Sequence, residues 1–316
     1  MVRCSVVIRA CNEERHIGRL LTGLFQQTER DLEVVLVDSG SSDATVAIAS
    51  RYPLRVLHFP RDEFTFGRSL NFGLSQTRGR FVVIASAHVY PIYSDWIARL
   101  LAPFEDEGVA LCYGKQRGNE LTRYAEQRVF ERWFPEQSVA AQAHPFCNNA
   151  NAAIRRSVWE SLRYDETLTG LEDLDWANRA LARGHKLSYV AEAVVAHVHE
   201  ETPSRIYNRY YREAIALKHI FPHEHFGLRE LMRLLSSNVA SDCYHALRDE
   251  KLLQELPGIV RFRLMQFLGT YRGFAKRTSV TTELKQKFYY PDSVAPSRQV
   301  TRQECAIDYS QVGPHE

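Results

Sequence analysis

The stretch that decides the fold is Ser5-Val-Val-Ile-Arg-Ala10, which is followed directly by the polar residues 11–13. Because this run is short and rich in β-branched residues, it predicts a buried strand rather than a helix. Apolar residues then recur at helical spacing at positions 17, 20, 21 and 24, and a second strand-like run follows at 33–37. The order strand, helix, strand is typical of an α/β protein with a mostly parallel sheet and helices on both faces.

The same alternation continues along the first part of the chain. We predict helices at 44–51 and 68–76 and strands at 54–58 and 81–85. In sheets of this kind, ligands bind beyond the carboxyl ends of the strands. Those ends carry polar residues, at 11–13, 38–43 and 86–88. The sequence therefore predicts a ligand site at this edge of the sheet.

The second part of the chain is less regular. We predict a strand at 109–113, helices at 120–133 and 172–183, and two further strands at 186–190 and 194–199. From Pro203 to about residue 290 the pattern favours helices, broken near Pro222 and Pro257. We therefore divide the chain into an α/β domain at 1–220, a helical extension at 221–290 and a polar, flexible tail at 291–316.

Composition and charge exclude several classes of protein. Of the 316 residues, 45% are hydrophobic and 25% charged, which is ordinary for a soluble globular protein. Lys and Arg exceed Asp and Glu by 40 − 38 = 2, which argues against a nucleic-acid partner. We expect no spanning helix and no signal peptide. The six cysteines form no C-x-x-C pair, so we expect a reduced, cytoplasmic chain without a zinc cage.

Three strand or helix ends carry residues with possible chemical roles, and each also has an ordinary structural interpretation. The turn from Asp38 to Asp43 could contact a base or a ribose, or it could cap a helix. His88 could be a metal ligand or a structural residue. Glu172 and Asp173 open a helix, where they could include a general base or only complement the helix dipole.

Two further groups add nitrogen-rich side chains. His197 and His199 are two residues apart, so on a strand both point to one face and could ligate a metal, or belong to a half-exposed edge strand. Arg205, Arg209 and Arg212 share a helical face that could bind phosphate, an anionic acceptor or anionic lipid, or simply be solvated.

Taken together, in this order and at this spacing over about residues 4–215, these residues resemble the family-2 glycosyltransferases, which are inverting enzymes with the GT-A fold. The matching segments are Asn12-Glu13 after the first strand, Asp38 to Asp43, Gly67-Arg-Ser-Leu-Asn71-Phe-Gly73, Asn148-Asn-Ala-Asn151, Glu172-Asp173 and His197-Val-His199. The pattern is most similar to bacterial rhamnosyltransferase-like members. The resemblance implies a GT-A, Rossmann-like catalytic domain at 1–220, with a nucleotide-sugar half at about 1–115 and an acceptor half at about 116–220.

The resemblance also implies roles for individual residues. Asp173 would be the catalytic base and Glu172 would orient the acceptor. The nucleotide would be bound by Ala10, Asn12, Glu13, Asp38, Asp43, Arg68 and Ser86, with Asp38 at the base edge and Glu13 and Asp43 near the ribose. The acceptor would contact Asn149, Asn151 and Trp176, although Trp176 could equally be a core residue.

One segment departs from the family pattern. Ser86-Ala-His88 stands where the family has D-x-D, so the residues left to hold a metal are His88 and His199, with His197 as the weaker candidate. We expect a divalent cation, Mn²⁺ or Mg²⁺, and the loss of carboxylates shifts the preference away from Mg²⁺. Two alternatives remain: a metal-free enzyme in which Arg68 or another basic residue neutralises the leaving diphosphate, or a chain without activity.

The implied partners are a nucleotide-sugar donor and a saccharide or lipid-linked saccharide acceptor, in bacterial surface polysaccharide synthesis at the inner face of the membrane. The main alternative function is a non-catalytic nucleotide- or sugar-binding module. A nucleotidyltransferase is disfavoured because no glycine follows the first strand in Arg9-Ala-Cys-Asn-Glu13. The helical extension could touch a membrane, cover the catalytic domain or form a homodimer.

Overall fold

The computed structural model describes residues 3–275, 279–280, 307 and 309. Apart from residues 307 and 309, the polar tail predicted at 291–316 therefore lies outside the described residues. The backbone N–H of Ile307 donates to the carbonyl of Ile92 at 3.1 Å.

Strands and helices alternate through the first hundred residues, as the periodicity predicts. The strands are β1 (Cys4–Ala10), β2 (Leu32–Asp38), β3 (Arg55–His58), β4 (Phe81–Ser86) and β5 (Val89–Pro91). The helices are α1 (Ile17–Phe25), α2 (Thr45–Ala49), α3 (Phe66–Ser75) and α4 (Trp96–Leu101). Side chains of β1 alternate between two cores, with Val6 and Ile8 on one face of the sheet and Val7 on the other.

The second half adds two long strands, three shorter ones and most of the described helices. The strands are β6 (Val109–Arg117), β7 (Asn151–Arg155), β8 (Lys186–His197), β9 (His223–Glu224) and β10 (Ser279–Val280). The helices are α5 (Tyr124–Trp133), α6 (Arg156–Ser161), α7 (Glu172–Ala182), α8 (Pro203–Ile220), α9 (Leu228–Arg248) and α10 (Leu252–Ala275).

Two local predictions are wrong. The two strands predicted at 186–190 and 194–199 form the single strand β8, which runs through an irregularity in its pairing with β6 between Val190 and Val195. Pro257 does not break the helices; it lies inside α10, near the helix start. The chain turns instead between α9 and α10, where Glu250 has φ of 58°.

The main sheet has the strand order β3-β2-β1-β4-β7-β6-β8-β5. Parallel pairs join β3, β2, β1 and β4, and a further parallel pair joins β6 and β8, whereas β7 is antiparallel to β4 and β6. The carboxyl ends of β1 and β4 therefore meet the start of β7 at one edge of the sheet. The carboxyl end of β8 reaches the same region, because His197 pairs with Val89 in β5.

The two long C-terminal helices pack onto the α/β domain. Two apolar clusters join α9 and α10 to α8, α7 and α5; they include Leu174, Leu217, Leu234, Phe267, Tyr124, Ile206, Ile259 and Phe262. A buried ion pair between Arg263 in α10 and Asp242 in α9, at 2.7 Å, links the two helices. Among the helices that the structure describes, none combines the length and apolar character needed to cross a membrane.

Candidate active site

A cleft of about 680 Å³ opens at the edge where the strand ends meet. It brings together nine of the site residues predicted from sequence: Asn12, Glu13, Ser86, His88, Asn149, Glu172, Asp173, His197 and His199. The other six predicted residues do not line it: Ala10, Asp38, Asp43, Arg68, Asn151 and Trp176. The strand-end rule therefore located the cleft, but six of the fifteen predicted side chains do not border it.

The loops after β1 and β2 are tied together at one side of the cleft. Asn12, at a φ of 57°, accepts a hydrogen bond from the N–H of Ser42 at 2.8 Å, and its own N–H donates to the hydroxyl of Ser41 at 2.9 Å. The N–H of Glu13 donates to the hydroxyl of Thr45 at 2.7 Å. These bonds fix the backbone of Glu13, whose carboxylate faces the cleft.

Asp38 and Asp43 form hydrogen bonds within the same loops and do not line the cleft. Asp38 is buried and accepts from the N–H groups of Gly40 and Ser41. Asp43 accepts from the N–H of Thr45 at 3.0 Å. Burial acts to raise the pKa of Asp43, but hydrogen bonds from Thr45 and the backbone outweigh it and lower the pKa. Both aspartates thus stabilise the turn through backbone N–H groups, although the N-cap of α2 is Ala44 and neither aspartate caps the helix.

Arg68 lies on α3 and turns away from the cleft. Its guanidinium pairs with Glu63 and Glu166, at 3.6 and 3.4 Å. In the same segment, Asn71 accepts from the indole N–H of Trp159 at 3.0 Å and donates to Glu166. The Gly67–Gly73 segment therefore fastens α3 to the loop before α7, and Arg68 is not placed to neutralise a ligand in the cleft.

Three predicted contacts prove to be buried residues of the fold. Trp176 is fully buried, and its indole N–H donates to the carbonyl of Leu162. Asn151 is also fully buried and accepts from the indole N–H of Trp96 at 2.9 Å. Ala10 is buried at the end of β1. The core therefore holds Trp176 and Asn151, and neither presents a surface to an acceptor.

The carboxylate pair sits at the start of α7, on the cleft wall. Asp173 accepts from the N–H of Asn149 at 3.0 Å and from that of Leu174 at 2.8 Å. Leu171, just before the helix, has φ of 55°, an unusual conformation for a branched residue, and it too lines the cleft. Burial and then the neighbouring Glu172 raise the pKa of Asp173 to about 7.

An arginine inside β1 completes the carboxylate end, and the sequence interpretation missed it. Arg9 lies 3.3 Å from a carboxylate oxygen of Glu172. Its guanidinium also covers the ring of Phe66 at 4.9 Å, and Arg212 of α8 covers the same ring at 4.6 Å. The signal was present, since a lone arginine in an otherwise apolar strand needs a buried partner.

Three histidines form another part of the cleft wall. The ring centroids of His88, His197 and His199 are 5.0, 5.5 and 4.1 Å apart in the pairs 88–197, 88–199 and 197–199. Burial lowers the pKa of His197 well below its ordinary value, with further lowering by the other two histidines. Burial followed by Arg209 also lowers the pKa of His199, although Glu126 opposes this. Both rings are thus favoured in the neutral form, which can ligate a metal.

Each of these rings is oriented by an oxygen acceptor at Nδ1. The partners are Glu13 for His88 at 2.8 Å, Gln116 for His197 at 2.6 Å and Glu126 for His199 at 2.7 Å. Nothing in the sequence pattern singled out Gln116 or Glu126, because their segments read as an ordinary strand and helix.

Glu126 and Arg209 form a buried pair beside the histidines. Arg209 lies 2.9 Å from Glu126 and 2.6 Å from Glu201. Burial acts to raise the pKa of Glu126, but the charges and hydrogen bonds of His199 and Arg209 outweigh it and lower the pKa to about 2. The three predicted arginines of α8, Arg205, Arg209 and Arg212, all line the cleft.

A ligand cleft at the carboxyl ends of parallel strands is the arrangement of nucleotide-binding α/β proteins. The model of the family "Glycosyl transferase family 2" matches residues 5–163, which is 159 of the 316 residues. The chain belongs to glycosyl transferase family 2. This confirms the family and the fold class predicted from the sequence.

Two similar proteins are O-antigen chain rhamnosyltransferases of Salmonella. WbaN of Salmonella anatum is 29% identical over 198 residues, which cover 59% of this chain and 62% of that protein. RfbN of Salmonella typhimurium is 27% identical over 223 residues, covering 66% and 71%. The chain thus spans less than two thirds of the length of the first of these relatives.

Solved structures share the fold. The mannosyltransferase PcManGT from Pyrobaculum calidifontis, in complex with GDP-Man and Mn²⁺, has a TM-score of 0.60 at 19% identity, covering 87% of this chain and 88% of that chain. TarS 1-349 of S. aureus in complex with UDP-GlcNAc has a TM-score of 0.52 at 16% identity, covering 84% and 90%. At these identities the likeness establishes the fold alone.

Proposed function

We propose that this chain transfers a sugar from a nucleotide-sugar donor to a hydroxyl of a saccharide acceptor, with inversion at the anomeric carbon. One observation carries the proposal. The carboxylate of Asp173 borders the cleft, and burial and Glu172 raise its pKa to about 7. A base with such a pKa accepts a proton near neutral pH, and the membership in family 2 supports the class of reaction.

Asp173 takes the proton of the acceptor hydroxyl while that oxygen attacks the anomeric carbon. The bond to the nucleoside diphosphate breaks on the opposite face of the sugar, so a single displacement inverts the configuration. Glu172, fixed by its pair with Arg9, orients the acceptor. Backbone N–H groups on both oxygens of Asp173 hold the base in one position.

For the donor, we assign the nucleotide to the side of the cleft with Asn12, Glu13 and Ser86. Negative charge develops on the leaving diphosphate, and positive charge next to it stabilises the transition state more than the ground state. A divalent cation, when bound, would supply such charge. The residues that would hold it are His88 and His199, together with His197, whose Nε2 is buried without a partner.

For the acceptor, we assign the part of the cleft with Asn149, Arg205 and Arg212. Arg205 and Arg212 line this part of the cleft and could bind a negatively charged group of a saccharide or lipid-linked acceptor. The Salmonella relatives carry O-antigen chain rhamnosyltransferase names, which supports a role in surface polysaccharide synthesis. We place that role at the inner face of the membrane.

A lipid-linked acceptor also calls for a surface that meets the membrane, and we assign it to α10. Four apolar side chains recur there at helical spacing and are exposed by 39% to 92%: Leu253, Leu256, Val260 and Leu264. Exposed Arg261 lies among them and exposed Lys251 directly precedes the helix, as is typical of a helix on an anionic lipid surface. A homodimer through the same stripe is the competing outcome.

The first test is a calorimetric screen of UDP, GDP, dTDP and CMP against the full chain, followed by incubation of the matching nucleotide sugar with saccharide acceptors. We expect one nucleotide to bind clearly better than the others. We also expect the product to have the inverted anomeric configuration by NMR. A product of retained configuration would contradict the single displacement. Binding without any turnover would favour the non-catalytic module.

A further inference from the structure

We propose that His88, His197 and His199 form a three-imidazole metal site that selects a borderline transition ion of the Zn²⁺ and Co²⁺ class over Mg²⁺. The sequence pointed to two histidines and to Mn²⁺ or Mg²⁺. The structure adds the third ring as an equal ligand, and the donor set then changes the ion that fits best.

The geometry of the three rings fits one ion. One ring nitrogen from each of the three histidines lies within 4.8 Å of the others. Their Nδ1 atoms are already engaged, by Glu13, Gln116 and Glu126. Each ring therefore keeps Nε2 for a ligand, and its orientation is fixed by an oxygen acceptor, the arrangement that metal-binding histidines usually show.

An unpartnered buried atom points to a ligand independently. Nε2 of His197 is buried and has no hydrogen-bond partner. The ring as a whole is 5% exposed, so water does not readily reach it. Burying a polar nitrogen without a partner is costly, and a metal ion is a partner to which this nitrogen can donate its lone pair.

The donor set decides the class of ion. Mg²⁺ prefers oxygen ligands, whereas imidazole suits Zn²⁺, Co²⁺ and their neighbours in the transition series. At the strand end where the family pattern has carboxylates, this chain has Ser86 and His88. The carboxylate of Glu13 is held at Nδ1 of His88 and so supports the ligand.

A second group of side chains could compete for the ion, but it already contains a cation. Glu126, His199 and Glu201 also lie close enough together to share an ion. The guanidinium of Arg209, however, pairs with both of these glutamates. Arg209 already places a cation against the carboxylates of that group, so among the described residues the three-histidine set is the better candidate for a metal.

The inferred site borders the cleft, because all three histidines line it. Ligand binding by three imidazoles leaves further coordination positions open, as in zinc sites with three protein ligands. We expect these positions to take phosphate oxygens of the donor, and this part of the inference rests on the proposed function.

The test is metal binding by the full chain without any substrate. Protein freed of metal by a chelator is titrated with Co²⁺, followed by its visible absorption, and with Zn²⁺ by calorimetry, each in a large excess of Mg²⁺. We expect one ion per chain in both cases. Replacing the partly exposed His88 (His88→Ala) should weaken binding at least about tenfold.

Two further variants make the result specific. His16 lines the same cleft with its ring 6.5 Å from that of His88 but lies outside the triad, so His16→Ala should bind as the wild type does. Asp173→Asn should also keep full metal affinity, so a failure of the proposed transfer reaction leaves this measurement unaffected. Displacement of Co²⁺ by Mg²⁺, or unchanged binding in His88→Ala, would overturn the inference.

Discussion

The carboxylates on one side of the cleft and the histidines on the other have pKa values shifted in opposite directions. On one side, Glu172 and Asp173 lie next to each other, and burial with mutual repulsion raises the pKa of Asp173 to about 7. On the other side, burial keeps His197 and His199 neutral. The first arrangement makes a carboxylate that can accept a proton near neutral pH, and the second makes ligands for a cation. The same physical cause, burial, thus favours a proton-accepting role for Asp173 and a metal-ligating role for the histidines.

The largest effect is expected at the carboxylate side. Asp173→Asn removes the proton acceptor but keeps the size of the side chain, so transfer should fall by about 10²–10⁴-fold. Asp175→Asn is the matched control, because Asp175 lies on the same helix and pairs with Arg179 outside the cleft. The measurement is kcat with a saturating donor. A fall of less than a few-fold in Asp173→Asn would remove this residue as the base.

The pH dependence should follow the raised pKa of Asp173. Only the ionised carboxylate can take a proton, so kcat should fall about tenfold per pH unit below pH 7 and level off above it. A pH profile measured from 5 to 9, with donor affinity followed at the same points, separates the base from the binding site. A rate that stays constant down to pH 5 would contradict the raised pKa.

A smaller effect, a shift of the pH profile, is expected when Arg9, the ion-pair partner of Glu172, is replaced. The positive charge of Arg9 lowers the pKa of Asp173, so Arg9→Gln should move the acid limb of the pH profile upward, by up to about one unit. Arg179→Gln, which removes an arginine outside the cleft, should leave the limb in place. A downward shift in Arg9→Gln would show that Arg9 acts in another way.

The smallest effect is expected far from both sides, at the exposed stripe of α10. Leu253 is 92% exposed, and Leu253→Glu should weaken binding to anionic vesicles about tenfold. Leu121→Glu, at a leucine 55% exposed elsewhere, is the control in a vesicle sedimentation assay. Loss of a dimer in solution, with no vesicle binding by the wild type, would assign the stripe to a second copy instead.

The sequence predicted what depends on local pattern. The alternation of strands and helices follows from short-range periodicity, and the strand-end rule then placed Glu13 and His88 at one edge. The position of Asp173 in the site came from the family resemblance. It could not tell that Trp176 and Asn151 are core residues, because burial depends on which distant segments pack against them. Arg9 and Glu126 were missed for the same reason, since their partners Glu172 and His199 are remote in the chain.

The most direct measurement compares the two sides in one experiment. Donor-nucleotide affinity, with and without added Co²⁺, and turnover are measured for Asp173→Asn and His88→Ala. We expect Asp173→Asn to keep nucleotide affinity and its metal dependence but to lose turnover. We expect His88→Ala to lose the metal-dependent part of the affinity. If His88→Ala kept its metal dependence while Asp173→Asn lost nucleotide affinity, the division of the cleft into a proton-accepting side and a cation-binding side would be contradicted.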